Sequence, residues 1–353
     1  MSHGGDIYRN RVNMDFSVNM NPLGIPAGIR DAISDALPRI SEYPDPLQER
    51  VRKALAHLEG VGCECVTAGS GVSGILMAVV RALAPKRALL FEPCFSGYEH
   101  ALRSVNCSIR RVMLREEEDF SLTAEQADQA DQAGTEDVVV ICDPMSPSGR
   151  SIDDTVIERL LEKAAGTGAA VILDESFYLL SDKAAVKDET RIGRLIRRYE
   201  KLYILRSFTK FFALPGIRAG YVLSAPGNIS NVIKQLPEWN LSTLAEEAVA
   251  AGCSILEHTD YADQSLQRIR TEREYLVQEL SRLNMTVYKS NTSFLLFRSP
   301  AALYDALLGR GILIRDCRDY PGLEQGMYYR IAVKNHSENE LLIQAIREVV
   351  RES

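Results

Sequence analysis

The strongest constraint on the fold is a set of short, unbroken apolar runs. They are Ala88-Leu89-Leu90-Phe91, Val138-Val139-Val140-Ile141-Cys142, Ala170-Val171-Ile172-Leu173 and Leu202-Tyr203-Ile204-Leu205. A strand with one wet face alternates apolar and polar residues, whereas a continuous run requires cover on both faces. Segments of helical period, such as residues 152–165, lie between the runs. This alternation indicates an α/β chain with a mainly parallel central sheet covered by helices. Ligands of such sheets bind at the carboxyl ends of the strands. The polar motifs of the chain sit there: Gly69-Ser70-Gly71-Val72-Ser73-Gly74, Asp143-Pro144-Met145-Ser146-Pro147-Ser148-Gly149, Asp174-Glu175 and the stretch after Leu205.

At 353 residues the chain exceeds what one core usually organises, so two domains are expected. The pattern changes after Tyr221-Val222-Leu223. This places a large domain at 41–225, an arm and small-domain segment at 1–40, and a linking helix with a smaller α+β domain at 226–353. Residues 229–258 read as helical with a break near Pro237, and 261–283 as a charged amphipathic helix. A final helix is expected to begin at Ser337, capped by that side chain, and an earlier one near Leu47. Thr123 and Gln126 fit a capping box opening a surface helix within 123–134.

A net charge of −7 gives no hint of nucleic acid or an anionic membrane as partner. No apolar run approaches the roughly 20 residues of a membrane span. Met1-Ser2-His3-Gly4-Gly5-Asp6 lacks the regions of a signal peptide and reads as a flexible arm. Seven scattered cysteines read as reduced thiols of a cytoplasmic protein.

One lysine carries the chemistry. Lys210 sits in Ser207-Phe208-Thr209-Lys210-Phe211-Phe212-Ala213-Leu214-Pro215-Gly216-Ile217-Arg218-Ala219-Gly220, directly after an apolar strand. Desolvation there disfavours the ammonium and readies the amine to form a Schiff base. Ser207, Thr209 and Arg218 supply two hydroxyls and a fixed positive charge for a phosphate. Lysine and phosphate donors together suggest pyridoxal 5'-phosphate; the plain alternative is a solvated surface lysine. Asp174, ending an apolar strand, suits either a cationic ring nitrogen or the cap of a following helix. The glycine-rich turn before the helix at 75–80 can hold an anion or can be a tight turn and no more.

The lysine stretch resembles the signature of the class I/II aminotransferases, the fold-type I pyridoxal-phosphate enzymes, at Ser207, Lys210, Gly216, Arg218 and Gly220. The resemblance covers nearly the whole chain. It implies that Lys210 carries the cofactor and moves a proton, and that Asp174 keeps the pyridine nitrogen protonated. It implies cofactor contacts from Gly71, Val72, Ser73, Phe95, Ser146, Phe177, Ser207, Thr209 and Arg218, with Phe95 stacked on the ring. Arg330 is implied to grip a substrate carboxylate. The strings Asp15-Phe16-Ser17, Asn19, Asn21-Pro22-Leu23-Gly24, Tyr43-Pro44-Asp45-Pro46 and Ile314-Arg315-Asp316-Cys317 are similar to the threonine-phosphate decarboxylase branch of cobalamin biosynthesis. Histidinol-phosphate aminotransferases are its neighbours. That branch implies a small, phosphorylated amino-acid substrate, with Asn19 beside it and His3 and Arg315 reaching its phosphate. The resemblance also implies a homodimer. Decarboxylation and transamination both stay open, and so does a non-catalytic cofactor-binding domain. The chain departs from the pattern in three places. Ser146 stands where members carry an asparagine, Ser70 interrupts the usual Gly-Asn-Gly turn, and Asn240 and Ser242 fall at a replaced asparagine.

Overall fold

The computed structural model describes residues 4–129, 136–186, 188 and 190–352. Its centre is a seven-stranded sheet in the order Val66–Ser70, Ala219–Leu223, Leu202–Ser207, Ala170–Asp174, Val138–Cys142, Arg87–Glu92, Ser108–Met113. Six strands run one way, and Ala219–Leu223 is reversed between two of them. Every residue of Val138–Cys142, Ala170–Asp174 and Leu202–Ser207 is buried, as double cover requires. One face packs on Leu160, Leu161, Ile192 and Leu195, the other on Ile75, Val79 and Leu102.

The intervening helices start and stop for local reasons. Asp153 accepts the N–H of Thr155 at 2.8 Å and opens Asp154–Thr167, which ends at Gly168 with φ 79°. Gln126 N–H donates to Thr123 Oγ1 at 3.3 Å while Thr123 N–H donates to Gln126 Oε1 at 3.2 Å, so the capping box opens Ala124–Gln129. The rest of that expected helix lies outside the described residues.

A second, antiparallel sheet has the order Arg315–Asp316, Tyr328–Ala332, Phe294–Arg298, Thr286–Val287. The helices Tyr261–Arg282 and His336–Glu352 bury Leu276, Leu280, Leu342 and Ile346 against its Leu295, Phe297 and Ile331. Met14–Asp15 pairs with Ile312–Leu313, so the start of the chain joins this smaller unit. Glu116 spans the joint between the sheets. It accepts the hydroxyls of Tyr288 and Tyr328 and lies 3.4 Å from Arg298.

Two helix starts differ from expectation. The helix expected near Leu47 begins at Glu49, because Gln48 adopts a left-handed conformation at φ 53° and Leu47 is left exposed. The last helix begins at His336, which puts Ser337 inside its first turn rather than at its cap. Among the described residues no helix is long and apolar enough to cross a membrane.

Candidate active site

Ser207 and Gly220 are register partners on neighbouring antiparallel strands, as are Ser70 and Ala219. The connection 208–218 therefore leaves and returns at one edge of the sheet, the carboxyl edge of the other strands. Its first turn, Phe208–Phe211, sinks Phe208 and Phe211 into the core and leaves Lys210 facing a cavity of about 340 Å³. Asn21 pins this turn: its N–H donates to Lys210 O at 3.1 Å and its Nδ2 to Phe211 O at 2.8 Å. The Nζ of Lys210 is 6.0 Å from the Phe177 ring. Burial, then the charges of Arg330 and Arg218, lower its pKa to about 8, against the pull of Asp174.

Asp174 is fully enclosed. One carboxylate oxygen accepts Ser176 N–H at 2.9 Å and Ser176 Oγ at 2.5 Å; the other accepts the Tyr98 hydroxyl at 2.7 Å. It thus closes a local turn and also lines the cavity. Burial pushes its carboxyl up, partly offset by those donors. Tyr98 also meets Phe95 edge-on, centroids 5.5 Å apart. Behind the site, Glu175 bonds Arg206 through Oε2 at 2.8 and 3.0 Å and lies 2.7 Å from Arg191. This buried pairing fixes the end of the strand that carries Asp174.

One end of the cavity suits a phosphate. Helix Gly71–Leu83 opens beside Val72 and Ser73. Gly71 has φ 75°, a conformation strained for any other residue, and a Cβ there would fall 2.4 Å from Arg218 Nη2 and displace the guanidinium. The hydroxyls of Ser207 and Thr209 lie 2.7 Å apart. Backbone N–H groups at a helix start, two hydroxyls and an arginine form a phosphate cradle. With a lysine amine, a carboxylate and the rings of Phe95 and Phe177 in the same cavity, the donor set fits pyridoxal 5'-phosphate.

The other end is built by the small sheet. Arg330 and Arg315 are cross-strand partners, and both line the cavity. Arg330 donates to Ser146 Oγ and to Ser17 O, each at 3.1 Å. Its Nε, and Oδ1 of buried Asn19, have no hydrogen-bond partner among the described residues. Arg315 donates to Asp316 O at 2.5 Å and to both oxygens of Asp319 at 2.7 and 2.9 Å, and it lies 5.0 Å from the Tyr320 ring centroid.

The cavity brings together Asn19, Val72, Ser73, Phe95, Ser146, Asp174, Phe177, Ser207, Thr209, Lys210, Arg218, Arg315 and Arg330. Gly71 shapes the cradle from behind, and His3 lies outside the described residues. Ser146 is bonded to Arg330, and Ser242 caps helix Thr243–His258. Sequence reasoning missed Tyr98, Ser17, Ser176 and Tyr320. Only Ser17 carried a signal, from its place in the Asp15-Phe16-Ser17 string.

A family model described as "Aminotransferase class I and II" matches residues 11–346. A threonine-phosphate decarboxylase of Salmonella typhimurium is 32% identical over 96% of this chain and 91% of that protein. A solved histidinol-phosphate aminotransferase of Clostridium acetobutylicum superposes with a TM-score of 0.86 at 26% identity, covering 96% of this chain and all of that one. A histidinol-phosphate aminotransferase of Sinorhizobium meliloti, solved in complex with pyridoxal-5'-phosphate, gives 0.84 at 22% identity, covering 97% of this chain and 92% of that one.

Proposed function

Because the chain belongs to the class I and II aminotransferase family, we propose that its site holds pyridoxal 5'-phosphate between Asp174 and Arg218 and decarboxylates a small, phosphorylated amino acid. The chain is a pyridoxal-phosphate-dependent enzyme acting on a small molecule. The observation that carries the substrate reading is the pairing of Arg315 with Arg330. Two buried arginines on adjacent strands face one cavity, opposite the cradle at Arg218. A ligand with a carboxylate at one end and a phosphate at the other satisfies both.

When bound, the cofactor supplies an electron sink for a bond broken at the substrate α-carbon. The residues around it do the rest. Asp174, held by Tyr98 and Ser176, presents its charge to the pyridine nitrogen. Phe95, which lines the cavity, would pack against the cofactor ring. Gly71, Val72, Ser73, Ser207, Thr209 and Arg218 take the cofactor phosphate. Lys210 Nζ, whose pKa of about 8 makes the neutral amine far more accessible than in an ordinary lysine, would hold the cofactor and return a proton to the α-carbon. Arg330 orients the substrate carboxylate, with Asn19 beside it, and Arg315 receives the substrate phosphate.

The protein acts as a homodimer. Beside Arg218 opens a second cavity of about 780 Å³, lined by Ile40, Tyr43 and Trp239. Tyr43 is 82% exposed and meets Trp239 at a tilt of 32°, ring centroids 4.7 Å apart. A second copy laid here covers these rings and closes the phosphate end. The smaller unit, built on the second sheet with Phe16, Leu276, Leu280 and Ile346 in its core, carries Arg315 and Arg330, whereas Ile29, Ile229, Val232, Ala245 and Val249, from segments expected to belong to the arm and the linking helix, pack with the large sheet. The seven cysteines, all free thiols, suit a cytoplasmic setting.

Transamination of histidinol phosphate is the second reading, supported by the fold match at 26% identity. Incubation of the holoenzyme with threonine phosphate, or with histidinol phosphate and a 2-oxo acid, separates the two. Carbon dioxide released in step with threonine phosphate is expected. Amino transfer without carbon dioxide overturns decarboxylation, and no product from either substrate overturns the phosphorylated amino-acid class.

A further inference from the structure

We propose that Asp319 sets the charge requirement of the substrate site, admitting a doubly charged side chain over a singly charged one. This rests on Arg315 receiving the substrate phosphate.

Both oxygens of Asp319 engage one nitrogen of Arg315, Nη2, at 2.7 and 2.9 Å. The arginine side chain is 8% exposed and that of Asp319 is 41% exposed. Arg315 stands between the main cavity and a neighbouring one of about 470 Å³, whose lining includes Asp6, Asp316, Arg318 and Asp319. Asp316 is matched with Arg318 at 2.6 Å, and Asp319 is a carboxylate in direct contact with Arg315. The guanidinium does not depend on Asp319 for its position, because it also lies over the Tyr320 ring and donates to Asp316 O. Asp319 therefore acts mainly through its charge. A carboxylate in contact with the guanidinium subtracts from the field that a ligand meets. A singly charged group merely exchanges with Asp319, whereas a phosphate dianion outweighs it. Asp319, partly exposed, turns toward the neighbouring cavity as the dianion enters.

The test uses holoenzyme of wild type, Asp319→Asn and Arg315→Ala at one pH near 8. The Michaelis constant of O-phosphothreonine, the proposed substrate, is compared with the inhibition constant of O-sulfothreonine against it, two tetrahedral esters that differ by one charge. Wild type is expected to favour the phosphate ester about tenfold or more. Asp319→Asn is expected to bind the sulfate ester about fivefold more tightly and so to narrow the ratio, the scale of one partly exposed charge. Weaker binding of both esters by Asp319→Asn overturns the proposal, because Asp319 then only holds Arg315 in place. An unchanged ratio overturns it as well. Arg315→Ala tests the underlying reading separately. If it leaves the preference for O-phosphothreonine over threonine intact, Arg315 is not the phosphate site at all.

Discussion

Around Lys210 the cavity wall is made of turns that leave strands buried on both faces, whereas around Arg330 it is made of a small sheet whose outer strand is two residues long. Ser207, Thr209, Lys210 and Arg218 all come from one connection closed at both ends by the strand ladder. Arg330, by contrast, is held by Ser17 and Ser146, 313 and 184 positions away in sequence. The first end is rigid because moving any group means breaking the central sheet. The second is an assembly of segments distant in sequence, held by side-chain contacts and not by the central ladder. Under the proposed roles, the groups at the reacting bond stand on the large sheet, and the groups that choose the side chain stand on the small one.

Changes at the rigid end should reduce every reaction equally. Lys210→Ala is expected to lower turnover by about a thousandfold or more on any substrate, the upper range for a lost acid–base and nucleophilic group. Its circular dichroism should match wild type, because a desolvated ammonium contributes no stability. Product formation at a tenth of the wild-type rate would remove Lys210 from the chemistry. Its lowered pKa has a second consequence. The neutral amine is the binding form, so wild-type apoenzyme should take up cofactor faster as pH rises and level off above about 8.

Asp174→Asn should come next, with a loss of about a hundredfold, as for other groups that stabilise developing charge. The loss should be equal for threonine phosphate and for threonine. Unequal losses would break the division between the two ends. The smallest effect is expected at the joint. Glu116→Gln keeps the size of the side chain but weakens its grip on Tyr288, Tyr328 and Arg298. KM should rise about threefold to fivefold, the worth of roughly one hydrogen bond, while the absorption band of bound cofactor stays in place. A shifted band would mean that the joint also governs the rigid end.

The same division governed what could be read from the sequence. The apolar runs announced the buried strands, and Asp174, Lys210 and Arg218 follow directly from the strands that position them. Tyr98 gave no sign, because its partner Asp174 is 76 positions away and a buried tyrosine in a helix reads as core. The adjacency of Arg315 and Arg330 was equally hidden. It depends on the register of a two-residue strand, too short to show any period. The resemblance implies only that Arg315 reaches a substrate phosphate. Arg315 lines the cavity and bonds Asp319 at once, a combination that only three-dimensional packing reveals.

The reversed strand has one more consequence. Had Ala219–Leu223 run parallel to Leu202–Ser207, the chain would have needed a crossover of a dozen or more residues, usually a helix, to reach it. Reversal lets residues 208–218 close directly between adjacent strands, with ladder bonds fixing both ends. The entropy of closing that loop is spent once, during folding. A bound cofactor therefore finds its lysine and its arginine at a set separation and orders little that was loose. Lengthening this connection by a few glycines would leave every contacting residue present, yet each would have to be gathered anew at every binding event, and cofactor retention would decline with each residue added.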